Sequence, residues 1–195
     1  GRRDWRSNPT ILSGDLSGDD GPGFANNGEN SYHVLTASRI GPTAILDGFT
    51  IYGGNANGSL YPDESGGGMY NYYSSPTLKN CTFSRNVADV GGAICNLWSN
   101  PRLTNCIFEH NHAKVDGGGV FNSRSSPSLT GCAFRANKAD GDGGGMGNYT
   151  PDPSFPTNPT LLNCSFEDNE AQYGGGICSV TANCTLINCT FTGNR

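Results

Sequence analysis

Three groups of residues in this 195-residue sequence have the types and spacing to do chemistry. The first is acidic. Asp116 and Asp142 each stand immediately before a glycine run, and Asp140 lies just upstream of the second. Two carboxylates held about 5 Å apart suit a retaining glycosidase pair or a Ca²⁺ site. They are also what a solvated acidic turn provides. The second group is aromatic. Tyr70, Tyr72, Trp98, Phe121 and Tyr149 recur just after the glycine runs. In a row on one face they could stack on sugar rings, or pack beneath loops. The third is Asp15, Asp19 and Asp20 in GDLSGDDG, an acidic loop of Ca²⁺-binding character whose spacing departs from the EF-hand pattern. His110 and His112 flank Asn111, but two histidines without a third ligand make a polar turn more readily than a metal site.

What must position these groups is a repeat. Glycine runs start at Gly66, Gly91, Gly117, Gly143 and Gly174, giving spacings of 25, 26, 26 and 31 residues. A period in this range means a solenoid whose units bury a core only by stacking. Glycine clusters, prolines and Ser/Asn/Thr runs interrupt every candidate helix. Short alternations such as Cys81-Thr82-Phe83 read instead as strands. Each unit therefore reads as three short strands joined by bends, one coil of a parallel β-helix. The expected fold is all-β: a single domain of about seven coils over residues 1–195. Residues 1–65 form irregular coils with loops, and 66–195 five regular repeats.

Aligning the units produces columns. Phe83, Phe108, Phe134, Phe166 and Phe191 form one, and Cys81, Cys106, Cys132, Cys164 and Cys189 another. Leu78, Leu103, Leu129, Leu161 and Leu186 form a third, and Met69, Ile94, Val120, Met146 and Ile177 a fourth. Stacked about 4.8 Å apart, these columns make a continuous core. Three asparagine columns, beginning at Asn71, Asn80 and Asn86, are assigned to bends, because Asn tolerates left-handed backbone and stacked amides can bond along the column. Asp116 and Asp142 then fall on adjacent rungs. Tyr70, Cys95, Phe121, Gly147 and Cys178 form an outward column. Loops are expected in the N-terminal third, at Asn55–Ser65 and at Pro151–Asn158.

Composition excludes several classes. Net charge is −5 with 15% charged residues, so no basic stripe exists to bind nucleic acid. No apolar run is long enough for membrane insertion, and no signal peptide is read. Five of the eight cysteines share one core column, where parallel side chains suit free buried thiols better than bridges. A local Cys178–Cys184 bridge is the one disulfide left open. Neither end shows a capping rung. The chain is thus expected to be part of a longer solenoid or to stack head to tail into a filament.

The repeats GGAI, GGGV, GGGM and GGGI, each followed by Phe-x-x-Asn (FSRN, FEHN, FRAN, FEDN, FTGN), resemble those of the polymorphic outer-membrane protein family. The segments RDWRSNPTILSGDLSGDD and LDGFTIYGG are similar to large secreted bacterial right-handed β-helix proteins of the pectate-lyase-like superfamily. The resemblance implies that fold and an extracellular or cell-surface location. It leaves function open, since the fold carries both enzymes and adhesins. Neither a lyase-type outward Lys/Arg on the glycine strand nor a polygalacturonase-type paired-Asp strand is present. The expectation is a structural or adhesive module, non-catalytic, meeting a polysaccharide or surface protein. The alternative is a carbohydrate-active enzyme using Asp116, Asp140 and Asp142, or a glycan-binding module. No cofactor is expected beyond Ca²⁺ at Asp15, Asp19 and Asp20 or at Asp116 and Asp142.

Overall fold

Runs of three or four alternating residues are too short to fold back on themselves, so each strand must pair with its counterpart one repeat away. The computed structural model, which describes Asp4 and residues 7–195, is built this way. Residues 1–3, 5 and 6, part of the opening RDWRSN stretch, lie outside the described residues. All strand pairing is parallel, and no α-helix occurs among the described residues.

The glycine-strand sheet stacks Leu35–Ser38, Met69–Tyr72, Ile94–Leu97, Val120–Ser123, Met146–Tyr149 and Ile177–Val180. The leucine sheet runs from Ile45–Asp47 through Thr77–Lys79, Arg102–Thr104, Ser128–Thr130 and Thr160–Leu162 to Thr185–Ile187. The phenylalanine sheet has seven strands, from Thr10–Ser13 to Thr190–Thr192, one for each expected coil. The core columns pair in register, Phe83 with Phe108 with Phe134 with Phe166 with Phe191. Their rings stack at centroid distances of 5.3, 4.6, 4.4 and 4.8 Å. Each fully buried Phe, Leu or Ile contributes roughly 1.5–3 kcal/mol, an upper bound because the unfolded chain already buries some of that surface.

The structure adds a fourth sheet where the sequence predicts three strands per coil. Asn55–Ala56, Val87–Val90, His112–Asp116 and Lys138–Ala139 pair in parallel, with a register shift between Ala113 and Asp116. Their inward column is alanine: Ala56, Ala88, Ala113 and Ala139 are all buried. This wall runs close against the glycine turn that opens its own coil: a Cβ at Gly67, Gly92 or Gly118 would stand 2.2, 2.6 or 2.3 Å from the carbonyl oxygen of Val87, His112 or Lys138.

Two of the asparagine columns lie at bends and the third lies inside strands, which corrects the assignment of the Asn71 column to a bend. Asn80, Asn105, Asn163 and Asn188 do sit in bends, at φ of 51, 52, 54 and 51°. Gly131 replaces Asn there at φ 63°. Left-handed backbone costs most L-residues about 1–2 kcal/mol, and Gly and Asn least. Asn71, Asn96, Asn122 and Asn148 instead lie inside strands and point inward, fully buried or nearly so. Each Nδ2 donates to the next rung's Oδ1 at 2.9, 2.8 and 2.9 Å, ending on Ser179 Oγ at 3.1 Å. The column starting at Asn86 does sit at a bend, between the phenylalanine strand and the fourth sheet, with its amides turned inward. There Asn111, Asn137, Asn169 and Asn194 each accept both the backbone N–H and the Nδ2 of the asparagine one rung earlier.

All eight cysteines are free, so the Cys178–Cys184 bridge does not form. In the core column, Cys106, Cys164 and Cys189 thiols donate to leucine carbonyls of the preceding rung at 3.7, 3.8 and 3.6 Å. Shared thiol contacts with Cys106, then burial, push the Cys81 and Cys132 thiols upward. Cys95 faces away from this core, as expected, but it is not exposed. It is fully buried in a second apolar cluster with Tyr70 and Phe121.

Candidate functional site

The outward face of the glycine-strand sheet carries the column Tyr70, Cys95, Phe121, Gly147 and Cys178 in strict register. Its first half is covered. The loop at residues 57–65 places Tyr61 edge-on against Tyr70, with ring centroids 5.9 Å apart and the two hydroxyls hydrogen-bonded. His33 stacks on Tyr70 from the N-terminal side at 5.5 Å. Tyr70 is 6% and Phe121 9% exposed, so neither offers a free ring face to a ligand.

Tyr72 and Trp98 belong to a continuous aromatic run. Tyr72 lies between Tyr70 and Tyr73, and Tyr73 stacks on Trp98 at 5.5 Å and 6°. Phe155, from the loop at residues 151–158, closes edge-on over Trp98 at 4.8 Å, and the Arg124 guanidinium sits 4.9 Å from the Trp98 ring centre. Tyr73 and Trp98 hold left-handed bends at φ 49 and 55°, which turns them onto the corner beside the sheet. The expected strip of sugar-binding rings is therefore largely spent on loop packing.

The second half of the face is open. Gly147 contributes no side chain to the column, and the gap leaves a cavity of about 200 Å³ between Phe121, Tyr149, Cys178 and Val180, floored by Asp116 and Asp142. Tyr149 is 42% exposed at its rim. Asp116 ends the last strand of its coil and Asp142 stands just before the next glycine turn, bridged to Tyr173, so the two lie on adjacent rungs as the repeat predicts. They are not two equivalent acids. Asp116 Oδ1 accepts the backbone N–H of Asp142 at 2.8 Å. Burial raises the Asp116 carboxyl above its usual range, opposed by that N–H and aided by the Asp142 charge. Burial and then the nearby Asp142 charge also raise the Cys178 thiol.

Asp140 does not join them. Its carboxylate lies between His112 Nε2 at 3.1 Å and Lys138 Nζ at 3.2 Å, on the outside of the fourth sheet. Burial works to raise its pKa, but the His112 and Lys138 contacts outweigh this and hold it low. The expected triad Asp116, Asp140 and Asp142 is thus divided between two walls. His110 and His112 line a wider groove of about 470 Å³ with Arg85 and Lys138, beneath Phe24 of the N-terminal loop. That groove is larger, but the Asp140 carboxylate beside it is held by His112 and Lys138, and no third metal ligand joins the two histidines among the described residues.

Of the other Ca²⁺ candidates, Asp15 caps its own loop, accepting the N–H groups of Gly18, Asp19 and Asp20. Asp15 and Asp19 do converge, and the third member of the cluster is Glu29, which the sequence reading did not single out. Asp116 and Asp142 form no such three-group set among the described residues. The sequence also hides Gly147, Cys178 and Val180 as pocket residues. The available signal was the one missing side chain in an otherwise bulky column. No helix among the described residues is long and apolar enough to cross a membrane.

No curated protein and no solved structure matches this chain. A family model described as a right-handed beta helix region matches residues 23–152 and, overlapping, 99–195, together most of the sequence. The stacked parallel sheets and inward ladders agree with that match, and the chain belongs to the right-handed β-helix family.

Proposed function

We propose that this protein is a non-catalytic structural or adhesive β-helix module of the cell surface or extracellular space. Its ligand contact is the Gly147 cavity, which receives a sugar ring of a polysaccharide or surface glycoprotein. One observation supports the non-catalytic reading: Asp140 is held away from the other two acids, and one oxygen of Asp116 is already engaged. Asp116 holds the Asp142 backbone, and Asp140 is paired with His112 and Lys138. A general acid and a base need free carboxyl oxygens facing one bond. The contact reading rests on a rimmed cavity with one exposed ring, Tyr149, and two carboxylates able to accept sugar hydroxyls.

Resemblance to the polymorphic outer-membrane and pectate-lyase-like repeats supports the location and leaves a second reading. Two carboxylates beside an aromatic wall also suit a carbohydrate-active enzyme. A polysaccharide panel, assayed for binding and for reducing ends or unsaturated products, separates the two. Affinity without turnover, weakened by Tyr149→Ala, supports the module. Turnover abolished by Asp142→Asn overturns it. Head-to-tail association belongs to the same proposal. A particle that stays monomeric on a sizing column at high concentration removes that part.

A further inference from the structure

We infer that the N-terminal loop between Asp15 and Asn30 is a calcium site, formed by the carboxylates of Asp15, Asp19, Asp20 and Glu29 with Asn30 Oδ1. Asp15, Asp19 and Glu29 come from separate parts of the loop, yet one oxygen of each lies within 4.8 Å of the others. Asp20 adjoins this group: its N–H donates to Asp15 Oδ2 at 3.3 Å, and its own Oδ2 accepts from Asn30 Nδ2 at 2.8 Å. Four negative groups are thereby gathered, and among the described residues no Lys, Arg or His forms an ion pair with any of them. Like charges this close repel by an amount that a folded loop must offset.

A second, independent observation points to a cation. Asn30 is only 5% exposed, and its Oδ1 is buried with no hydrogen-bond partner. Asp20 Oδ1 is buried and unpartnered as well. The Asn30 amide cannot simply be turned over. Its Nδ2 donates to Asp20 Oδ2 at 2.8 Å and to the Gly53 carbonyl at 2.6 Å, so a flip would set oxygen against two acceptors. The carboxamide lies beside Asp20 over Gly53. Asp20 Oδ2, Asn30 Nδ2 and the Asp15 backbone N lie 3.1, 3.5 and 3.5 Å from where a Gly53 Cβ would stand. Buried acceptors left unsatisfied destabilise a fold, and a hard cation satisfies both.

The donor set selects the ion. All ligands are oxygens, which excludes the thiolate and imidazole sites of zinc. Ca²⁺ accepts 6–8 oxygens in a flexible shell, whereas Mg²⁺ demands a tight octahedron and keeps most of its water. A loop offering four carboxylates and an amide oxygen on an irregular backbone fits the former. The scaffold is already partly formed, with Gly18 N–H on Asp15 at 2.6 Å and Ser17 N–H on Glu29 at 3.3 Å. Bound calcium would pin this loop against the side of the stack where Phe24 packs on His112.

The experiment uses the whole chain, stripped with EDTA and titrated with CaCl₂ by calorimetry, and followed by thermal unfolding and limited proteolysis. The expected result is one saturable Ca²⁺ site, a higher Tm in 1 mM CaCl₂ than in 1 mM MgCl₂, and slower cleavage between residues 15 and 30. Asp19 is exposed and its side chain holds no turn, so Asp19→Asn should fold normally and weaken Ca²⁺ about tenfold or more, as should Glu29→Gln. Absence of heat and of any Tm shift up to 10 mM CaCl₂ would overturn the assignment. So would equal responses to Ca²⁺ and Mg²⁺, or unchanged affinity in both variants. None of these outcomes depends on glycan binding, which the panel above measures separately.

Discussion

Asn137→Ala tests whether the interior amide ladder, rather than apolar stacking alone, holds the coils in register. The Asn137 carboxamide joins three successive coils. Its Oδ1 accepts Asn111 N–H at 3.2 Å and Asn111 Nδ2 at 2.9 Å. Its Nδ2 donates to the Phe108 carbonyl and to Asn169 Oδ1, both at 2.9 Å. Truncation removes all four bonds. Asn111 Nδ2 keeps the Phe83 carbonyl, and Asn169 Oδ1 keeps the Asn137 N–H, so these two groups are only half deprived. The Asn111 backbone N–H is not; it becomes a buried donor without its acceptor. That orphan costs about 1–3 kcal/mol, and the remaining lost bonds add about 1 kcal/mol or less apiece, for a total of about 3–4 kcal/mol. Against a typical stability of 5–15 kcal/mol this is a large loss.

Urea unfolding followed by circular dichroism measures it, with hydrogen exchange of the coils around residue 137 as a check, because solenoids can unfold in parts. The control is Asn105→Gly in the exposed bend column. Gly131 already occupies the equivalent site at the same left-handed φ, so the change should stay within about 0.5 kcal/mol. A double cycle of Asn111→Ala with Asn137→Ala should show coupling of about 1 kcal/mol through the shared amide–amide bond. If Asn137→Ala costs less than about 1 kcal/mol, or no more than the control, the ladder is a passenger and the reasoning fails.

The glycine turns make a paired prediction. At Gly118 a Cβ would meet the carbonyl oxygens of Lys138 and Gly144, both backbone, at 2.3 and 2.5 Å, and every equivalent position (Gly67, Gly92, Gly144, Gly175) is glycine. At Gly119 the next rung's carbonyl is as close, but Ala93 fills the equivalent place and is buried. Gly118→Ala should therefore cost about 3 kcal/mol or more and Gly119→Ala about 1 kcal/mol or less, read by thermal unfolding; equal effects would sink the steric argument. Asp116→Asn keeps an acceptor for the Asp142 N–H and removes a charge that burial disfavours. Because the folded pKa is raised above the ordinary carboxyl value of 3.8, ionisation weakens the wild-type fold as pH rises through that raised value. The variant should match or exceed wild type in Tm at pH 7 and lose that advantage near pH 3. An advantage that grows on acidification contradicts the sign.

Residue type alone could not tell the three asparagine columns apart, because one amide solves two different problems. It relaxes a left-handed bend, and it bonds to a copy of itself above and below. The replacements were the informative signal. Where the backbone makes the demand, as at Asn80 and Asn105, the exception is Gly131, which keeps φ and has no side chain. Where the side chain makes it, as at Asn71 and Asn96, the exception is Ser179, which keeps a hydrogen-bonding group and accepts Asn148 at 3.1 Å. The apolar columns carried no such ambiguity, since Phe83 and its counterparts have one physical use at a fixed period, and the fold followed from them. The fourth sheet escaped notice because its inward residue is alanine, too small to mark a core column. The candidate site was least legible of all. Tyr61, Phe155 and His33 lie in segments that do not repeat, so periodicity says nothing about which outward ring each one covers. Asp140 and Asp142 are separated by one residue, yet one reaches His112 and Lys138 while the other floors the cavity beside Asp116. In a solenoid the repeating residues are the ones already used by the stack. Function has to be sought where a column is broken, as at Gly147, or where a loop brings groups the stack does not need, as at Asp19 and Glu29.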